Sequence, residues 1–225
     1  MNRPLVTRIL LIGGVVGPLL FIVAFLIEGA TRTGYSAWRN FVSQLSTGDQ
    51  GWVQIANFIV CGVLVLGFAL VLRPTLGPGE GMTLGPALLA VFGLGLLIAG
   101  IFVTDPALGY PPGTPIIRTV HGGIHGIAGL VCFSSLAAAC FVLARRFRGD
   151  PAWKGWATYS IITGVLVAAS FVLGIVTSVL DERGIWPNAP TGIVQRIGII
   201  AGWVWIALLA LQLLRKQNQE PVTQG

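Results

Sequence analysis

His121 and His125 are the sole histidines of the sequence, and they stand four residues apart. On a helix that spacing means about 6 Å of rise along one face, the arrangement used by paired metal-binding histidines. Asp105 and Glu28 each close an apolar run on the same side of the chain's expected topology. With the histidines they form a four-residue candidate metal set, for which zinc is the candidate ion. Two features weigh against it. Gly122 occupies the place where the metalloprotease pattern has its glutamate, and Arg118 would repel a cation if the helix extends back that far. The alternatives are a hydrogen-bonded His–Asp cluster that stabilises this face, or a pH-sensitive or ligand-contacting pair.

A second group lies in the segment Tyr35–Ser46, which places Ser43 and Ser46 three apart ahead of the Gly48–Gly51 turn. Either serine could be a nucleophile or support a metal-bound water. The Gly-x-Ser-x-Gly elbow is missing, and a helix cap or a loop hydrogen bond is the simpler role. The segment is expected to form a short amphipathic helix with Trp38, Phe41, Val42 and Leu45 toward lipid. A third group is cationic. Arg118, Arg183 and Arg196 could together hold an anionic headgroup by charge-assisted hydrogen bonds; salt pairing with neighbours such as Asp181 and Glu182 is the alternative.

These residues must be positioned by a membrane protein. The 225 residues are 54% hydrophobic and only 10% charged, with a mean hydropathy of +0.82, too little charge to cover a soluble domain. Six apolar runs reach the roughly 20 residues that a bilayer core requires: about 9–27, 53–72, 84–103, 121–144, 157–180 and 193–214. The expected fold is therefore an all-α integral membrane bundle of six transmembrane helices in one domain, with a polar tail over 215–225. The first run is too long for a signal peptide's apolar region and reads as a retained helix.

Charge sets the expected orientation. The N-terminus, the second and fourth loops and the C-terminus carry nine Lys and Arg residues against five in the other loops. The positive-inside rule then puts both termini in the cytoplasm of a cell membrane and the candidate residues outside. Arg145, Arg146, Arg148 and Lys154 share one loop and would attract anionic membrane lipid. Basic residues do not interleave with aromatics as a nucleic-acid surface requires, so no nucleic-acid partner is expected.

Glycines four apart at Gly13/Gly17, Gly122/Gly126 and Gly198/Gly202 predict close helix–helix approach. Pro18 predicts a local kink. Trp52, Trp186 and Trp203 read as interfacial anchors. Cys61, Cys132 and Cys140 lie in apolar runs and imply no disulfide framework. No ionisable residue falls near the middle of a span, which disfavours a proton-driven carrier.

Together, Phe41-Val42-Ser43-Gln44-Leu45-Ser46, then Asn57 and Phe58, then Gly100-Ile101-Phe102-Val103-Thr104-Asp105-Pro106 and His121-Gly122-Gly123-Ile124-His125 resemble a bacterial and archaeal six-helix membrane family, domain of unknown function 998. The resemblance covers roughly residues 10 to 214 and implies the six-helix fold without an activity. A looser similarity is to alkaline ceramidase-like hydrolases, which bind zinc through Ser, Asp and His at helix ends. Those have seven helices and three histidines, against six and two here.

Two functions remain open on this reading. One is a membrane-embedded, metal-dependent hydrolase acting on a lipid-like substrate at the outer leaflet. In it His121, His125 and Asp105 hold metal, Ser43 or Ser46 assists and Arg118 steers the headgroup. The other is a non-catalytic small transporter, lipid-binding or accessory membrane protein.

Overall fold

The computed structural model describes residues 3–219. Residues 220–225 of the expected tail, and the side chains of Arg3, Pro4 and Gln219, lie outside what is described. Six long helices appear among the described residues: α1 (Arg3–Thr31), α2 (Gly51–Leu76), α3 (Leu84–Ile101), α4 (Val120–Arg148), α5 (Trp156–Glu182) and α6 (Thr191–Gln219). Each is long and apolar enough to cross a membrane. Even the shortest, α3 with 18 residues, measures about 27 Å at 1.5 Å per residue, close to the hydrocarbon thickness.

Five helices outrun the expected spans because polar flanks continue the backbone hydrogen bonding past the apolar core, whereas α3 ends at Ile101, two residues short of the expected 103. Helix α1 runs unbroken through Pro18 to Thr31. At the other boundaries specific residues set the ends. Thr119 caps α4, its hydroxyl accepting from the Gly122 amide at 3.0 Å. Gly77 (φ +68°) stops α2 in a backbone region that side-chain-bearing residues rarely adopt.

Each helix packs on its neighbours in sequence, and α6 returns to α1, so the helices close a ring. Neighbours run antiparallel. Gly14 of α1 meets Phe68 of α2 and Ala210 of α6, while Phe21 stacks on Trp203 of α6 with ring centroids 4.5 Å apart. The described ends of α1 and α6 therefore share one end of the ring. The connections 32–50, 102–119 and 183–190 form the other, here called the distal rim.

Lipid provides no hydrophobic force between apolar helices, so close packing must hold the ring together. Two of the three expected glycine pairs do this. Gly13 and Gly17 receive Leu64, and Gly198 and Gly202 receive Ser170 and Leu136, leaving no room for a Cβ at the latter two. The third pair behaves differently. Gly122 accommodates the Asp105 carboxylate, while a Cβ at Gly126 would meet nothing within 4 Å. Gly126 is thus not a packing contact.

Two further expectations are corrected. Residues Val42–Ser46 form a single 3-10 turn, and Val42 and Leu45 are buried rather than lipid-facing, because the turn folds inward over the ring. Trp203 is 2% exposed and sits in the core midway along α6, whereas Trp52 and Trp186 are exposed at the rim as interfacial anchors would be. All three cysteines are free and buried.

Candidate functional site

The distal rim is built from side chains that satisfy helix ends. The last carbonyls of a helix and its first amides have no partners within the helix. At the α3–α4 junction two titratable residues fill both roles. His125 on α4 places Nδ1 at 2.8 Å from the Phe102 carbonyl and 3.1 Å from that of Ala99, the free carbonyls ending α3. Asp105, just past α3, accepts from the Thr119 amide at 2.9 Å and the Thr119 hydroxyl at 2.6 Å, at the start of α4. Each helix is completed by a side chain reached through the other. Burial alone would raise the Asp105 carboxyl. The two Thr119 hydrogen bonds, with Arg118 and His125 nearby, outweigh it and hold the group below its ordinary value.

Three arginines stitch the 32–47 segment onto the ring. Arg32 pairs with Glu28 at 2.5 Å and also donates to the carbonyls of Gln50, Leu45 and Thr47. Arg39 forms a two-pronged pair with Asp181 at 2.7 and 2.8 Å. Arg196 is 6% exposed and pairs with no carboxylate among the described residues. Its guanidinium donates to the carbonyls of Ala37, Asn40 and Gly192, and to the Tyr35 hydroxyl, and lies over the Phe25 and Tyr35 rings. Burial raises the Tyr35 phenol above its ordinary value, with Arg196 opposing. Asn40 and Gln44 then tie the segment to the 102–119 connection through the carbonyls of Leu108 and Ala107.

The candidate residues consequently sort into separate places. Arg196 is locked inside, Arg118 is exposed and pairs with Glu182 at 3.0 Å, and Arg183 is exposed near the end of α5. The three do not form one anion site. Ser46 is buried and donates to the Ser43 carbonyl at 2.6 Å, the local bond of a tight turn. His121 is exposed against the Phe102 ring. Among the described residues no three of His, Cys, Asp and Glu are grouped to hold a metal ion. The proposed zinc donors do not fit such an ion together: Glu28 is held by Arg32, Asp105 by Thr119, and His125 keeps one ring nitrogen on the α3 carbonyls.

What His125 and Ser43 do share is a cavity. The ring of helices encloses a space of about 340 Å³, at the small end of the roughly 300–1,000 Å³ of ligand pockets. Its floor is aromatic and aliphatic, made by Phe92, Trp203, Phe21 and Leu136. Its polar groups are Ser43, Thr104, His125, Ser170 and Gln195. Among the described residues, no Asp, Glu, Lys or Arg lines it.

A gap leads from this cavity to the ring's outer surface between α4 and α5. Below it the two helices touch through the stacked rings of Phe133 and Phe171, 4.8 Å apart. Above it the Arg118–Glu182 pair spans their distal ends. Between these, Gly126 and Gly129 on α4 face open space, and Ile175 on α5 is 47% exposed while lining the cavity. The opening thus faces the side of the bundle, where lipid lies in a membrane.

A family model described as a protein of unknown function (DUF998) matches residues 15–212. The chain belongs to this family. No curated protein and no solved structure matches the chain. In this DUF998 chain the matched stretch begins within α1 and ends within α6, so the rim and the entire cavity lining belong to the family's common span.

Sequence reasoning did not find Arg32, Arg39, Asn40 or Gln44 as organisers of the rim. Nothing in local pattern distinguishes an arginine that will be buried against carbonyls from one that will face headgroups. Nor does periodicity distinguish a glycine that receives a neighbour from one that borders a void.

Proposed function

We propose that this protein binds a membrane lipid inside its helix ring, drawing the lipid's apolar chain through the opening between α4 and α5. The observation that carries the proposal is the sideways-opening cavity, apolar at its floor and polar near the rim. An aqueous ligand would need a mouth toward water, whereas a chain in the bilayer meets this opening directly. The excess of Lys and Arg on the connections at the opposite end supports placing the opening in the outer leaflet.

Gly129 provides the test, since a side chain there projects into open space. Purified wild-type protein is expected to carry lipid detectable by native mass spectrometry. Gly129→Leu fills the passage and is expected to lose that lipid while its Tm is unchanged or higher. Equal lipid content in the two proteins would overturn the proposal.

One observation favours a catalytic version of the same reading. Among the described residues the Ser43 hydroxyl has no hydrogen-bond partner, and it lines the same cavity as His125. A lipid hydrolase built on this pair would release fatty acid from a bound ester and lose that activity in Ser43→Ala. Copurified lipid that stays intact through prolonged incubation would favour the binding protein.

A further inference from the structure

Resting on the lipid-binding reading, the polar groups around the cavity specify what kind of head the lipid carries. The lining holds no formal charge: none of the thirteen Arg and Lys side chains that the structure describes is part of it, nor is any described Asp or Glu, so charge is available to the fold but is kept out of this space. At the rim the nearest cations are already engaged: Arg196 with carbonyls, Arg39 with Asp181 and Arg118 with Glu182. A phosphate drawn into the cavity would lose its hydration with no cation to receive it, so its affinity should fall roughly a thousandfold or more below that of a neutral head.

The neutral groups have defined polarity. Carbonyls only accept, so the two α3 carbonyls fix the proton of His125 on Nδ1. In the neutral ring Nε2 is then a hydrogen-bond acceptor, and His125 lines the cavity. Gln195 shows the opposite polarity. Its Oε1 accepts from the Val42 amide at 2.8 Å, and among the described residues the Nε2 amide protons have no partner. The Ser43 and Thr104 hydroxyls, which can act either way, complete the set. An acceptor and a donor around one small space suit a hydroxyl, which can donate to one and accept from the other.

We infer that the cavity selects an uncharged, single-chain lipid whose head carries a hydroxyl, and that this hydroxyl donates to Nε2 of His125. The single chain follows from the small volume, and the neutral head from the uncharged lining.

Three probes with the same oleoyl chain separate the possibilities: monooleoylglycerol, methyl oleate and lysophosphatidylglycerol, each titrated into the delipidated full-length protein. Monooleoylglycerol is expected to bind about tenfold more tightly than methyl oleate, the value of one buried hydrogen bond, and more tightly than the lysophospholipid. His125→Asn keeps a donor near the Nδ1 position for the α3 carbonyls but removes the Nε2 acceptor. It is expected to abolish the tenfold preference while methyl oleate binding persists. Equal binding of all three lipids, or preference for the lysophospholipid, would overturn the selection of a hydroxyl head while leaving lipid binding intact. Failure of every probe to bind in competition with Gly129→Leu as control would instead overturn the lipid-binding reading itself.

Discussion

The Asp105 carboxylate occupies the space where a side chain at Gly122 would stand, so the residue that holds the Thr119 cap of α4 and the glycine that admits it form one unit. Gly122→Ala would push the carboxylate off Thr119. Its expected cost is about 1–2 kcal/mol, that of a lost helix cap, despite the better helix propensity of alanine. Thermal unfolding in detergent would show a lower Tm for Gly122→Ala, against no loss for Gly123→Ala, where a Cβ meets nothing within 4 Å.

The same carboxylate gives the protein an acid limb. Its folded value lies below the ordinary 3.8, so it contributes stability that is fully present above 3.8 and lost as pH falls through the lower folded value. Asp105→Asn should lower Tm at pH 7 and flatten the change in Tm below pH 4. An unchanged acid limb in that variant would assign the effect to another group.

Tyr35 makes an alkaline limb of opposite sign. Its folded value is raised above the ordinary 10.0, so its contribution is complete below pH 10 and is lost as pH rises through the folded value. Tyrosinate absorbance should show delayed ionisation relative to free tyrosine, coincident with falling Tm. Tyr35→Phe should remove that coincidence.

The two ion pairs of α5 should differ sharply. Asp181 is 1% exposed where Arg39 holds it, whereas Arg118 is 69% exposed in its pair with Glu182. Removing one partner of a buried pair costs about 3–5 kcal/mol, and less when the partner removed is itself partly exposed, as Arg39 is at 31%. Arg39→Ala should therefore lower stability by about 2–3 kcal/mol, and Arg118→Ala by less than about 1. Denaturation of the two variants side by side would reveal equal effects if the distal rim were not organised by Arg39.

The inward turn at Val42–Ser46 predicts that Leu45→Ala, at a fully buried position, costs about 2–4 kcal/mol. A lipid-facing leucine would cost little. Chemical denaturation distinguishes the two placements directly.

The six helices were legible because long apolar runs admit no other structure in a bilayer. The packing at Gly13, Gly17, Gly198 and Gly202 was legible for a related reason: small residues four apart share a helix face. The same spacing misread Gly126, since a face without side chains is equally suited to contact and to vacancy. Val42 and Leu45 were read outward because period and apolarity say which residues share a side, while only the fold over the ring says which side is in. Arg196 escaped for the corresponding reason. Its partners are backbone carbonyls from distant segments, and carbonyls leave no mark in sequence.

The cavity has a mechanical consequence as well. Space that side chains leave inside a fold is eliminated on unfolding, so hydrostatic pressure works against the folded state to the extent that no occupant fills it. On the flank between α4 and α5, where Gly126 and Gly129 leave room beside Phe133 and Phe171, an occupant would supply the missing contacts, so bound lipid should raise the pressure at which the bundle unfolds.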